Sequence, residues 1–269
     1  MSTDFSQLFS LSGKTALVTG GSRGIGEMIA AGFLDAGVRV YISSRKADVC
    51  DATAERLAAE YGGECISVPA DLSTVEGCEA LAGAVSARED KLDILVNNAG
   101  ASWGAPIDEF PEAGWDKVMD TNVKGVFFLT QKLLPLLRAA GDAEDPARII
   151  NIGSIDGLGA SPFNVFSYGA SKAAVHHLTR FLATHLTREH INCNAIAPGP
   201  YPTWMLSTGV GYGGETDDVD WSAVGESTPR GRVGSPEDIA GLSIFLCSRA
   251  GAYVVGEVIT SDGGTFNTK

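Results

Sequence analysis

Residues 15–26 read Thr15-Ala16-Leu17-Val18-Thr19-Gly20-Gly21-Ser22-Arg23-Gly24-Ile25-Gly26. An apolar run passes straight into a glycine-rich turn. Residues 15–19 suit a buried strand, and the periodicity then changes to that of a helix over 24–35. Glycines at such a junction let the chain turn tightly and let a pyrophosphate approach the backbone. The helix N-terminus beyond them offers free N–H groups and a favourable dipole. The spacing is TGxxxGxG, not the GxGxxG of the common dinucleotide fingerprint, so the position of the loop carries the reading more than its letters do. Gly20, Ser22, Arg23, Gly24, Ile25 and Gly26 become candidate cofactor-binding residues.

Outward from this unit the pattern repeats. Strands are predicted over 38–43, 65–68, 92–96, 148–152, 191–196 and 257–260. Helices are predicted over 47–60, 74–87, 114–139, 166–188 and 236–247. Strands that alternate with helices imply crossover units and a parallel sheet covered on both faces. The expected fold is α/β: a Rossmann-type, doubly wound, seven-stranded parallel sheet in the order 3-2-1-4-5-6-7. It forms a single domain over 1–269, with a ligand crevice at the carboxyl ends of the strands. One stretch breaks the rhythm. Residues 207–227, rich in glycine and acid, suit either a substrate lid, spanning about 204–228, or a solvated surface excursion.

Bulk properties narrow the function. Of 269 residues, 44% are hydrophobic and 20% charged, an ordinary globular balance. A net charge of −13 argues against nucleic acid and against anionic membranes as partners. Cys50, Cys65, Cys78, Cys193 and Cys247 form no CxxC pair, so neither a disulfide framework nor a metal site is expected. The first residues lack a basic segment followed by an apolar one, and no apolar run approaches the ~18 residues that span a bilayer. A cytoplasmic protein is expected.

The end of strand two indicates the nucleotide's flavour. NAD sites usually place a carboxylate there to bind the ribose 2′-hydroxyl. This chain has Ser43-Ser44-Arg45 and no acid. Arginine holds a 2′-phosphate through charge-assisted bonds, and Arg23 offers a second positive contact, so NADP(H) is the expected cofactor. Arg45 as a plain surface charge is the alternative. Asp71, followed by Leu72 after strand three, suits an adenine amino group, or else a helix cap or turn. Asn97-Asn98-Ala99-Gly100 closes strand four, where Asn98, Ala99 and Gly100 flank a cofactor or pin neighbouring strands.

Tyr168 and Lys172 stand four apart on a predicted helix and so share a face. A neighbouring cation favours phenolate and lowers a tyrosine pKa, which suits acid/base work between alcohol and ketone. Ser154 ends strand five facing the crevice, where its hydroxyl can bond a reacting carbonyl. Asn122 is a polar amide inside an otherwise apolar helix. It either holds a water beside Lys172 or is a satisfied core amide.

With these residues assembled, the chain resembles the classical branch of the short-chain dehydrogenase/reductase family. The matches are Thr19 to Gly26, Asp71, Asn97 to Gly100, Asn122, Ser154, Tyr168, Lys172, Pro198-Gly199 with Thr203, and Ser261-Asp262-Gly263-Gly264. They span almost the whole chain in family order. The resemblance implies Tyr168 as acid/base and Lys172 as its modulator and ribose ligand. It implies Ser154 as carbonyl orienter, Asn122 as anchor of a relay water, and Pro198, Gly199 and Thr203 as cofactor contacts. It also implies a small carbonyl or alcohol substrate and a homotetramer or dimer. Within the family the chain is similar to 3-oxoacyl reductases of the rhamnolipid-biosynthesis type, through residues 99–104, 133–137 and 189–192. Sugar, polyol or xenobiotic alcohol dehydrogenases of the same family are the runner-up, and a catalytically silent nucleotide-binding regulator is a reading from another class. Carrier-dependent relatives place arginines where Phe128 and Glu189 stand here. With the acid-rich 207–227 stretch, this argues against an acidic acyl carrier as partner.

Overall fold

The computed structural model describes residues 5, 7–209 and 218–268. Seven parallel strands form one sheet: β1 Thr15–Thr19, β2 Arg39–Ser43, β3 Cys65–Ser67, β4 Ile94–Asn97, β5 Ala147–Ile152, β6 Ile191–Pro198 and β7 Val258–Ser261. Their order is β3-β2-β1-β4-β5-β6-β7, as the alternating pattern predicts. The helices are α1 Gly24–Asp35, α2 Ala47–Tyr61, α3 Val75–Ser86, α4 Glu112–Met119, α5 Gly125–Ala140, α6 Phe166–Leu186, α7 Trp204–Gly209, α8 Trp221–Glu226 and α9 Pro236–Cys247.

Strand side chains alternate between the two faces, and each face has its own core. Ala16, Val18, Val40, Ile42, Ile94 and Val96 pack with Ile29 and Phe33 of α1, Leu57 of α2 and Ile239 of α9. Leu17, Tyr41, Leu95 and Ile149 face the other way, toward Leu81 of α3, Leu129 and Leu133 of α5, and Leu186 of α6. Because both faces are covered, the strands read as continuous apolar runs rather than alternating ones.

A buried cation ties the sheet to α9. Arg148 on β5 is 1% exposed. Its Nε donates to Leu246 O at 3.1 Å and its Nη2 to Ser248 O at 3.0 Å, so it caps carbonyls at the end of the helix. Nη2 also meets Asp145 at 3.1 Å, and Asp145 is held in turn by Lys14 at 2.6 Å.

Two sequence expectations need correction. The helix predicted over 114–139 is present but not uniform: it runs through a π-helical turn over Asp120–Lys124 between α4 and α5. A single widened turn of this kind shifts the apolar period by one residue, too small a change to mark in a long amphipathic pattern. The stretch read as weakly periodic carries helices at its two ends, α7 and α8. Asp220 starts α8 by accepting from Ser222 N at 3.0 Å and Ala223 N at 3.2 Å. Residues 210–217 of that stretch, including Glu215 and Asp217, lie outside the described residues. Among the described residues, no helix is long and apolar enough to cross a membrane.

Candidate active site

A cleft of about 970 Å³ lies at the carboxyl ends of the strands, where an open α/β sheet binds its ligands. The loops after β1 through β6 contribute to its walls.

The glycine loop is shaped by close approach. Gly20 has φ of 63°, in the left-handed region, and a Cβ there would meet Asn98 Nδ2 at 2.8 Å. A Cβ on Gly26 would collide with the same Asn98 amide and with Gly20 O. Asn98 occupies that space because it stitches β4 to the loop. Its Nδ2 donates to Thr19 O at 2.8 Å and Gly20 O at 3.2 Å, and its N–H and that of Ala99 donate to Thr19 Oγ1. Asn97 reaches sideways, donating to Asn151 Oδ1 at 2.9 Å and Thr130 Oγ1 at 3.1 Å. Pinning strands is thus observed for both asparagines, and Asn98, Ala99 and Gly100 also line the cleft.

Arg23 and Arg45 face the nucleotide end together with Ser22, Ser44, Asp71 and Leu72. Burial, and then the charge of Arg45, lower the Arg23 pKa. Two guanidiniums that repel each other in one cleft suit an anion between them. The plane of Arg23 lies over the Trp204 ring at 4.3 Å, a contact that tethers α7 to the glycine loop. Thr203 packs beside Gly24 and its Oγ1 accepts from Leu206 N at 3.3 Å. Asp71 makes a turn: Oδ1 accepts from Ser73 N at 3.0 Å and from its hydroxyl at 2.8 Å. The helix cap is Thr74 instead. Pro198 and Gly199 line the cleft, and Gly199 N donates to Ser261 O at 3.0 Å.

Ser154, Tyr168 and Lys172 share one wall of the cleft. Lys172 is buried, and its Nζ donates to Ile152 O at 2.7 Å. Burial lowers its pKa to about 8. Its ammonium lies 5.4 Å from the Tyr168 ring centre. Burial raises the Tyr168 pKa to about 12; the nearby Ser154 hydroxyl opposes the rise and the Asp156 charge adds to it. The lowered tyrosine pKa expected from spacing is therefore corrected. In this unliganded geometry burial is the largest influence on the phenol.

Asn122 sits in the π turn. Its Oδ1 accepts from Ala101 N at 2.7 Å, and its Nδ2 donates to Ala101 O and to Ser171 Oγ, both at 2.9 Å. The amide therefore clamps the loop after β4 to α6, and one Oδ1 lone pair is left over. Sequence reasoning missed His176, one helical turn beyond Lys172. Its ring fills the space beside Gly153 and Gly157 and so backs the loop that carries Ser154. Burial lowers its pKa to about 4, so it is neutral at physiological pH. It also missed the far end of the cleft, lined by Asp156, Phe163, Met205, Leu206, Val224 and Phe266. The carrier-arginine positions hold no free cation: Phe128 packs against the α5 core, and Glu189 is ion-paired with Arg138 at 2.6 Å.

This sheet, this glycine loop and this Ser–Tyr–Lys wall define a dinucleotide-dependent oxidoreductase architecture, and the chain belongs to the short-chain dehydrogenase/reductase family. Residues 20–265 match the family profile described as Enoyl-(Acyl carrier protein) reductase. The chain is 52% identical to the rhamnolipids biosynthesis 3-oxoacyl-[acyl-carrier-protein] reductase of Pseudomonas aeruginosa, over 95% of this chain and 97% of that one. The structure of RhlG from Pseudomonas aeruginosa in an NADP active-site complex superposes with a TM-score of 0.90 at 50% identity, covering 97% of this chain and 100% of that one. L-sorbose reductase of Gluconobacter frateurii, complexed with NADPH and L-sorbose, has a TM-score of 0.86 at 31% identity, covering 97% and 100%.

Proposed function

We propose that the protein reduces a ketone to a secondary alcohol with NADPH, and that its substrate is a 3-oxoacyl thioester. One observation carries the reading. Ser154, Tyr168 and Lys172 line the same cleft as the glycine loop and the paired Arg23 and Arg45. The cofactor fits the residues present: a glycine loop packed so closely on Asn98 that Gly20 and Gly26 admit no Cβ, Arg23 in that loop, and Arg45 after strand two with no carboxylate at that strand's end. Bound NADPH supplies the hydride. Tyr168, a neutral phenol, donates the proton to the carbonyl oxygen, and Ser154 holds that oxygen in place. Lys172 binds the ribose and offers its charge to Tyr168 when the phenolate forms. Asn122 fixes the π turn beside Lys172 and leaves a lone pair for a relay water. Of the 204–228 stretch, α7 and α8 border the cleft and serve as the described parts of a lid, with α7 tethered through Trp204 to Arg23.

The apolar far end, with Phe163, Met205, Leu206, Val224 and Phe266, suits an acyl chain better than a fully hydroxylated sugar. Coenzyme A thioesters serve better than carrier-bound chains, because Phe128 and Glu189 offer a carrier no cation. A keto-polyol is the second reading, favoured by similarity to gluconate 5-dehydrogenase of Gluconobacter oxydans at 36% identity. Exposed Trp115, Phe127, Phe166 and Phe181 on α4 to α6 suit self-association into a homo-oligomer. The test is kcat/KM with NADPH for one 3-oxoacyl chain on coenzyme A, for the same chain on the carrier, and for a keto-polyol. The coenzyme A ester is expected to lead. A higher value for the polyol overturns the acyl assignment, and a carrier preference that weakens with salt overturns the assignment of the handle.

A further inference from the structure

The charged residues of the cleft stand in three places. Arg23, Arg45, Lys46 and Asp71 stand at the nucleotide end, and Lys172 stands with Tyr168. The far end is built from the loop after β5, Tyr201, α7, the end of α8 and Thr265 with Phe266. Among the described residues there, it holds one charged side chain, Asp156.

Asp156 lies in the short 3-10 turn Ile155–Gly157 that follows Ser154. Its main-chain N–H donates to Ser154 Oγ at 3.1 Å, and this bond sets the turn. Any residue type would supply that N–H, so the turn does not call for a carboxylate. The side chain has no hydrogen-bond or ion-pair partner among the described residues. It is partly buried, and burial alone raises its pKa, with no cation to offset it. Its charge also opposes ionisation of Tyr168. A carboxylate that gives up part of its hydration and gains no protein partner carries a free-energy penalty. A ligand donor reaching into the cleft removes that penalty, because hydrogen bonds to a charged acceptor are among the strong ones.

We propose that Asp156 is a specificity-determining residue: its carboxylate accepts a hydrogen bond from a hydroxyl or N–H that the bound substrate brings near the reacting carbonyl, and it excludes substrates that carry a carboxylate at that place. The inference rests on the carbonyl-reductase reading and names the polarity of the substrate that this site takes. In a thioester the donor is an amide N–H of the thiol arm; in a keto-polyol it is a neighbouring hydroxyl. Free oxo acids and sugar acids are rejected by like charge.

The test compares cyclohexanone with its ring-substituted hydroxy, ammonium and carboxylate analogues, using NADPH and the full-length enzyme. Each kcat/KM is taken relative to cyclohexanone within the same protein, wild type or Asp156→Asn. Asparagine keeps the shape and one acceptor oxygen but removes the charge. In the wild type the hydroxy and ammonium analogues should exceed the parent, and the carboxylate analogue should fall below it by about tenfold or more, as expected for unit charges a few ångströms apart in a partly desolvated site. In Asp156→Asn both ratios should collapse toward one, while the hydroxy analogue keeps part of its advantage. The same ranking in both proteins overturns the inference. Failure to reduce the four ketones and the 3-oxoacyl coenzyme A ester alike overturns the carbonyl-reductase reading instead. In that case the same compounds are ranked by their effect on the fluorescence of enzyme-bound NADPH, and an unchanged ranking between the two proteins again overturns the role of Asp156.

Discussion

Replacing Arg45 by alanine tests how the nucleotide end chooses its cofactor. Arg45 is exposed in the cleft, while Arg23 is held against Trp204 at 4.3 Å. A hydrogen bond to a charged group contributes about 1.5–3 kcal/mol, and exposure places Arg45 at the lower end of that range. About 1.5 kcal/mol corresponds to a roughly tenfold weaker Kd. The loss should fall on NADPH alone, since NADH has no 2′-phosphate to offer. Trp204→Ala acts one step back, by freeing Arg23. A cation–π contact at an exposed position is worth about 0.5–1 kcal/mol, so NADPH should weaken by roughly two- to fivefold. Trp204→Phe should restore part of it. The assay is titration of cofactor fluorescence on the unliganded enzyme at low and at high salt. Equal losses for NADPH and NADH in Arg45→Ala would refute the phosphate assignment. A Trp204→Ala effect that ignores the 2′-phosphate would mean that the stacking only holds α7 in place.

The remaining predictions concern the catalytic wall and the core. Tyr168→Phe should lower turnover by about 10²–10⁴, the usual contribution of general acid catalysis, with NADPH affinity within a few-fold; substantial residual activity would show that another group supplies the proton. Lys172, with its pKa lowered to about 8, is a cation below that pH and neutral above it, so NADPH affinity should fall as pH rises through about 8 and the step should vanish in Lys172→Met. Neutral His176, lowered to about 4, should add no inflection near neutrality, and a wild-type profile flat through pH 8 would contradict the Lys172 assignment. Arg148→Met removes two bonds to helix carbonyls and should cost about 3 kcal/mol in denaturant unfolding; a loss below about 1 kcal/mol would show that α9 does not depend on this cap.

Residues whose work is done by spacing were legible in the sequence. The glycine loop lies between β1 and α1 because period and composition change there. Tyr168 and Lys172 share a wall because α6 is regular through both. The π turn was not legible, since one widened turn shifts the apolar period by a single residue within a long helical pattern. The far end of the cleft was hidden for another reason. Phe163, Leu206, Val224 and Phe266 come from four separate segments, and each is of a type that also fills cores. Asp156 left a trace that could have been followed: an acid two residues after a strand-end serine, at the edge where ligands bind.

The raised pKa of Tyr168 bears on the direction of the reaction. A lysine four residues away suggested a phenol poised to ionise. In the structure the Lys172 ammonium donates to Ile152 O at 2.7 Å, and burial raises the tyrosine pKa to about 12. Alcohol oxidation needs a base, and a phenol so held is a poor one near neutrality. Carbonyl reduction needs an acid, and the same phenol is in its acid form throughout the physiological range. The alkoxide that develops when hydride reaches the carbonyl carbon is far more basic than the phenolate, so the transfer runs downhill. The Asp156 charge pushes the same way, because it too disfavours phenolate. Asp156→Asn should therefore move the rise of alcohol oxidation toward lower pH and leave the pH dependence of ketone reduction nearly unchanged below neutrality. Profiles for the two directions that shift together would show that Asp156 acts through the fold of its turn and not through its charge.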